Sequence, residues 1–115
     1  MLLDEGMEEL ATQFVSLIDK GQWGTGTTTP TITDTGLETA VAATLLDVTS
    51  SVSGASVQFT HEVPSTAGNS NNLTEFELRF TNGDSLNRSV GGAIAKTSSF
   101  KVITLSTINF VRSNQ

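Results

Sequence analysis

The stretch GQWGTGTTTP, residues 21–30, has the composition of a loop that could bind phosphate. Glycines let a backbone approach a ligand closely, and consecutive N–H groups can donate to phosphate oxygens. A P-loop also needs a lysine that reaches the phosphates, but here Thr27 follows Gly26. A dinucleotide-binding loop needs a strand before it and a helix after it, whereas here a helical pattern precedes and Pro30 follows. The stretch therefore predicts a structural corner, and we expect no bound cofactor.

His61 is the only histidine, and the chain contains no cysteine. A catalytic triad needs a nucleophile, a base and an orienting carboxylate in one place. Glu62 is adjacent, but neighbouring residues of a strand point to opposite faces. The pattern predicts that His61 is packed and hydrogen-bonded, so we expect no enzymatic activity and no catalytic residues.

Four acidic residues crowd the N-terminus: Asp4, Glu5, Glu8 and Glu9. Carboxylates four residues apart on a helix could together attract calcium. Calcium sites are usually loops that also supply carbonyl ligands, whereas acidic residues in a first helical turn are favoured by the helix dipole. The cluster predicts a solvated first turn, and we expect no metal site.

Length and charge restrict the class of protein. A chain of 115 residues predicts one domain, and its net charge of −6 disfavours binding to the nucleic-acid backbone. No apolar run is long enough to span a membrane, so we expect neither nucleic acid nor membrane as a partner. The 18 threonines and 13 serines suit strands with one wet face.

Residues 3–20 have the spacing of an amphipathic helix, with Gly21 as its stop signal. The helix could cover the domain's own sheet, or it could be a self-association seam. We divide the chain into an amphipathic helix segment, residues 1–21, and an antiparallel β-domain, residues 22–115. The candidate oligomer or anchor interface consists of Leu3, Met7, Leu10, Phe14, Leu17 and Trp23.

The remaining chain alternates in the manner of strands. We expect strands at residues 22–26, 41–49, 57–63, 73–80, 86–90 and 100–111, with turns at Gly54 and at Asn82-Gly83. Glu75 and Glu77 alternate with Phe76 and Leu78 and are expected to lie on the opposite face of the strand. The last strand is apolar on both faces, which predicts a central or helix-covered position. The fold class is mainly β: an antiparallel sandwich or barrel-like domain of five to six strands after one helix.

Four segments, read in order, resemble the N-terminal domain of phage tail-collar fibre proteins: WGTGTTTPTITDTGLETAVAATLL, GASVQFTHEVP, NLTEFELRF with GDSLNRSV, and IAKTSSFKVITLSTINF. The resemblance covers residues 22–110, and its best segments are 33–41 and 73–80. Two departures stand out. Phe76-Glu77 replaces a small glycine-containing turn, and we expect no fibre shaft or receptor-binding tip after Gln115.

The resemblance implies an attachment module of a virion, assembled in the host cytoplasm. Without a shaft, the chain is expected to be a decoration, turret, collar or fibre-adaptor subunit. Its expected partners are its own copies, as a trimer or pentamer, and capsid, neck or tail proteins.

An alternative function is a surface module that recognises a host receptor or carbohydrate through its polar loops at 64–72 and 82–85. The residues expected to be exposed there are Asn69, Asn71, Asn72, Asn82 and Gly83. Aromatic residues usually stack on sugars, but Trp23 is the only tryptophan and there is no tyrosine, which favours the core or an interface for Trp23.

Overall fold

The structure is a computed structural model that describes residues 1–111. One helix precedes six strands, and a single 3-10 turn, Ala42–Thr44, lies between the first two strands. The elements are α1 (Asp4–Val15), β1 (Ile18–Gly24), β2 (Leu46–Ser53), β3 (Ser56–Val63), β4 (Asn72–Phe80), β5 (Ser89–Ala95) and β6 (Val102–Asn109).

The six strands form one curled antiparallel sheet, a half-barrel, in the order β5-β4-β1-β2-β3-β6. This confirms a mainly β fold with one N-terminal helix. β1 lies between β4 and β2, although β4 follows it by almost fifty residues. Its pairing with β4 is long, whereas its pairing with β2 involves only Lys20 with Asp47 and Gly21 with Leu46.

The helix α1 packs on the inner face of the sheet, mainly against β3 and β2. Ala11 is completely buried, and the ring of Phe14 meets those of Phe59 and Phe110 edge-on, at centroid distances of 6.1 and 5.6 Å. These contacts belong to the larger core cluster, with Val57 and Leu78 also buried in it. The helix therefore covers its own sheet.

The helix ends earlier than the sequence pattern predicts. Ser16 and Leu17 donate backbone hydrogen bonds to Gln13 and Phe14, closing the last turn. Ile18 then begins β1 and is buried. Ile18 fits the apolar spacing of the helix, but it is a core residue of β1. Pairing in the sheet therefore overrides the helical pattern after Val15. Gly21 lies inside β1 instead of stopping the helix.

Several strand limits also differ from the prediction. The residues expected to begin the second strand form the 3-10 turn, and β2 begins only at Leu46. The return strand after Asn82-Gly83 is β5, which begins at Ser89 and contains Gly91 and Gly92 instead of ending at them. The two turns themselves are confirmed, since Gly54 and Gly83 adopt positive φ values of 58° and 94°.

The expectation that the last strand is central is wrong, although the helix does contact its C-terminal end through the rings of Phe14 and Phe110. β6 lies at the edge of the sheet and pairs only with β3 among the described strands. Its inner residues, such as Val102, contact the core, whereas Ile103 and Leu105 lie exposed on the outer face. Apolar residues on both faces therefore did not indicate burial on both faces.

Candidate functional site

The most organised polar centre surrounds Glu75 on β4, whose side chain is completely buried. Its Oε2 accepts backbone N–H groups from Gly26 and Thr39, each at 2.8 Å. Its Oε1 accepts the N–H of Glu38 and the Nε–H of Arg88, also at 2.8 Å each. All four donors come from outside β4, so this carboxylate joins three separate parts of the chain.

The glycine-rich stretch supplies one wall of this centre. A Cβ placed on Gly26 would lie 2.6 Å from Oε2 of Glu75, and one on Gly24 would collide with the same oxygen. The hydroxyl of Thr74 donates to the carbonyl of Gly26 at 2.6 Å, and Thr25 donates to the carbonyl of Thr39 at 2.8 Å. The stretch is a structural corner, as expected, and its N–H groups bind a carboxylate of the same chain.

Arg88 connects this carboxylate to the surface loop. Its Nε donates to Glu75, and its Nη1 donates to Oδ2 of Asp34 at 3.0 Å. Asp34 is held in turn by the N–H and the hydroxyl of Thr31, each at 3.0 Å. Arg88 itself is only 5 % exposed, so one guanidinium fixes the loop over the sheet.

Electrostatics keep Glu75 ionised. Burial disfavours the charged carboxylate, but the Arg88 guanidinium and the backbone donors of Thr39, Glu38 and Gly26 outweigh it. The pKa of Glu75 therefore lies below its ordinary value. Arg88 shows the complementary effect, since its hydrogen bond to Glu75 raises its pKa.

Glu77, two residues along the same strand, has a different environment. It is only 4 % exposed, so the strand face opposite Phe76 and Leu78 is covered as well. Burial raises the pKa of Glu77, and its nearest cation, the Nε of Arg79, is 3.9 Å away. The two neighbouring carboxyls thus differ: the pKa of Glu75 is lowered, and the pKa of Glu77 is raised.

Chemically, the Glu75 carboxylate is fully hydrogen-bonded, whereas the buried Nη2 of Arg88 has no hydrogen-bond partner among residues 1–111. Both carboxylate oxygens already accept two charged or backbone donors each, which leaves no direction for a substrate proton. Two polar clefts, of about 230 and 290 Å³, flank Arg88 and share Asp34 and Gly36. The arrangement stabilises the loop at residues 25–39.

His61 is buried in β3, and its Nε2 lies 2.9 Å from the carbonyl oxygen of Thr44. Its ring meets Phe76 edge-on at 5.2 Å. Burial lowers the pKa of His61, and the hydrogen bond to Thr44 offsets this in part. The histidine is packed and hydrogen-bonded, as the alternating pattern predicts, and Glu62 is exposed on the other face.

The acidic residues at the N-terminus lie exposed on α1, two of them in its first turn. Within residues 1–111, no group of three His, Asp or Glu side chains could hold a metal ion. In the same range, no helix is long and apolar enough to cross a membrane.

The candidate interface residues divide into two sets. Met7 and Phe14 face the sheet, and Trp23 packs against Phe76 at 5.2 Å, touching both core clusters. The other three remain on the surface, with exposed fractions of 63 % for Leu3, 50 % for Leu10 and 48 % for Leu17. Three of the six candidate interface residues therefore pack in the domain, and the other three are exposed.

The loop residues expected to be exposed also divide. Asn82 and Gly83 are exposed, and Asn72 is exposed but belongs to β4. Asn69 and Asn71 are half-buried, because Asn71 caps the loop's own carbonyls and Asn69 accepts a hydrogen bond from a lysine.

That lysine, Lys96, is a buried residue that the sequence did not single out. Its Nζ donates to Oδ1 of Asn69 at 2.8 Å and to the carbonyl of Thr97 at 2.9 Å, and it approaches the carbonyl of Ser65. It fixes the loop at residues 64–71 against the end of β5. Binding to a receptor or carbohydrate through this loop stays a prediction.

No family model, curated protein or solved structure matches this chain.

Sequence reasoning missed the Glu75–Arg88 pair. A signal existed, because both residues flank the confirmed Asn82-Gly83 turn, and antiparallel strands around a turn bring such positions together. The structure pairs Glu75 with Val90 and Phe76 with Ser89 across β4 and β5, directly beside Arg88. An acid and a base in such places predict an ion pair, although not its burial.

Proposed function

We propose that this protein is a non-enzymatic structural subunit of a tailed-virus particle. In this role it is a homo-oligomeric decoration, turret, collar or fibre-adaptor subunit attached to the head, neck or tail. Its partners are further copies of itself and the neighbouring capsid, neck or tail protein.

The observation that carries this proposal is a set of exposed apolar side chains on and beside α1. Leu10 lies on α1, Leu3 immediately precedes the helix and Leu17 follows it, and the exposed fractions of the three side chains are between 48 % and 63 %. The opposite side of the helix is already in the core through Ala11 and Phe14. Apolar side chains left exposed on and beside a helix that already packs on its own sheet are typical of an interface.

The polar groups support the same class of function. The buried Glu75 carboxylate bonds to Arg88 and to three backbone N–H groups, which fixes the loop at residues 25–39 on the sheet. The outer face of β2 and β3 carries exposed or half-exposed polar residues, such as Ser51, Gln58 and Thr60. The resemblance to collar-fibre attachment domains adds the virion context, and its trimeric or pentameric order stays a prediction.

The test is to look for the protein in purified particles and to measure its mass in solution. We expect its peptides in particle digests at a fixed ratio to the major capsid protein, and a native mass several times 12.1 kDa. Gold-labelled antibody should mark one location on the particle. A protein that is monomeric and absent from particles would overturn the proposal.

A matched pair of variants tests these exposed leucines. Leu10→Gln should reduce incorporation into particles without lowering the melting temperature much, because Leu10 is already half-exposed. Ile32→Gln is the control, since Ile32 is fully exposed in the loop at residues 25–39. Equal incorporation of the two variants would argue against these leucines as the attachment surface.

A further inference from the structure

Among residues 1–111, no strand pairs with the outer edge of β6, and this edge lacks the usual protection. The eight residues of β6, VITLSTIN, pair with β3 in an unbroken register from Val102 to Asn109. Edge strands normally carry charges, prolines or bulges that prevent further pairing, and β6 has none of these. The opposite edge, β5, differs, because its pairing shifts register between Leu73 and Glu75 and it contains two consecutive glycines.

We infer that β6 binds β6 of a second copy, antiparallel, about a two-fold axis that passes Leu105. This inference deepens the proposed function, on whose self-association it rests. A two-fold interface needs a surface that complements itself. The sequence of β6 meets this need, because a two-fold axis at Leu105 places chemically similar residues of the two copies opposite each other. The facing pairs are Val102 with Ile108, Ile103 with Thr107, Thr104 with Ser106, and Leu105 with its own equivalent.

Side-chain exposure favours this pairing. Ile103 is 52 % exposed and Leu105 is 61 % exposed, both on the outer face. In the two-fold arrangement the two Leu105 side chains lie together at the axis, and each Ile103 lies beside a threonine methyl group. Pairs of this kind across antiparallel strands stabilise a sheet in addition to the backbone hydrogen bonds.

Charge favours it as well. Each copy carries a net charge of −6, so two copies repel unless they meet at a neutral segment. β6 has no charged side chain between Val102 and Asn109. Lys101 precedes the strand and is engaged with Glu62 at 3.2 Å, and in this register it faces Asn109 of the second copy. No like charges are brought together along the strand.

A two-fold contact doubles the number of chains in the unit that it joins. It makes a dimer from two single chains, and a hexamer or decamer from two of the rings predicted from the resemblance. The assembly in solution is therefore expected to contain an even number of chains.

Cysteine crosslinking tests the axis directly, because the natural chain has no cysteine. Directly opposed residues in antiparallel strands have Cα atoms about 4.5–5.5 Å apart, within reach of a disulfide. Leu105→Cys should therefore form a disulfide-linked dimer at least ten-fold faster than Asn109→Cys. Two Asn109 residues are offset by eight positions, or about 26 Å, in the same pairing. Equal rates for the two variants would overturn the inference.

Leu105→Lys gives a second measurement, which does not depend on oxidation. Two lysines at the axis repel, so the native mass should fall to half, whereas Ser51→Lys, exposed on β2 of the same face, should leave it unchanged. An unchanged mass for Leu105→Lys would contradict β6 pairing. If the protein is in particles but Cys variants at 105 do not crosslink, only the pairing fails. If they crosslink but the protein is absent from particles, only the virion function fails.

Discussion

The backbone N–H of Gly26 donates to Oε2 of Glu75 at 2.8 Å, and so joins two residues that lie 49 positions apart. The carboxylate occupies the space where a side chain on residue 26 would begin. Residue 26 therefore has to be glycine because the Glu75 carboxylate fills the space of a side chain. In turn, the N–H of Gly26 helps to satisfy the buried carboxylate. A stretch with the composition of an anion-binding loop does bind an anion, and that anion is part of the same chain.

Replacing Gly26 with valine should strongly destabilise the fold. The new Cβ would lie 2.6 Å from both Oε2 of Glu75 and the Cβ of Glu38, so the loop must move away and break its hydrogen bonds. We expect a loss of at least about 3 kcal/mol in the free energy of unfolding, measured by urea denaturation. Gly91→Val is the control, because nothing lies within 4 Å of its Cβ position. A Gly26→Val chain as stable as the control would contradict the role assigned to Glu75.

Neutralising Glu75 and Glu77 separately should give opposite results. Glu75→Gln turns an amide NH₂ toward groups that are themselves donors, so we expect a loss of at least about 2 kcal/mol at pH 7. Glu77→Gln removes a charge that burial already disfavours, so its stability should be unchanged or higher. Chemical denaturation of both variants at pH 7 decides this. Similar losses of unfolding free energy in both variants would contradict the stabilising role assigned to the Glu75 hydrogen bonds.

Local features of the sequence predicted local structure well. The turns at Gly54 and Asn82-Gly83 were predictable because the positive φ that Gly54 and Gly83 adopt strongly favours glycine. The alternation around His61 predicted a strand with that residue inward, because a period of two depends only on neighbouring residues.

Features that depend on distant partners were not predictable in this way. Glu75 is on the expected strand, but its burial depends on the loop at residues 25–39 folding over it. Ile18 continued a helical spacing, yet it begins a strand because β4, far along the chain, pairs with it. β6 has the composition of a central strand, and only the strand order places it at an edge.

Lys96 should control the order of the loop at residues 64–71. Lys96→Met keeps the buried methylene chain but removes the donors to Asn69 and Thr97. We expect faster amide exchange in this loop, above all at Ser70, whose N–H donates to the Lys96 carbonyl at 2.9 Å. Lys101→Met is the control, because Lys101 is 55 % exposed and outside this loop. Unchanged exchange in Lys96→Met would mean that the asparagines hold the loop without it.

Stability should decrease as the pH falls below about 6.5, the ordinary pKa of histidine. Burial lowers the pKa of His61 in the folded state, so the unfolded chain takes up a proton first. The free energy of unfolding then falls by up to about 1.4 kcal/mol for each pH unit, until the folded-state pKa is reached. Glu75 adds to the loss only below about pH 4.5, because its pKa is lowered and its stabilisation is complete above that value.

The measurement is the difference between the natural chain and His61→Gln from pH 6.5 to 5. Glu77, whose pKa is raised by burial, takes up a proton in the folded state and opposes the loss. Glu77 is present in both chains, so its contribution cancels in the difference. We expect the slope against pH to be positive in the natural chain and smaller in His61→Gln, whatever the absolute stability of the variant. Equal slopes would show that His61 takes up its proton as readily in the folded chain as in the unfolded one.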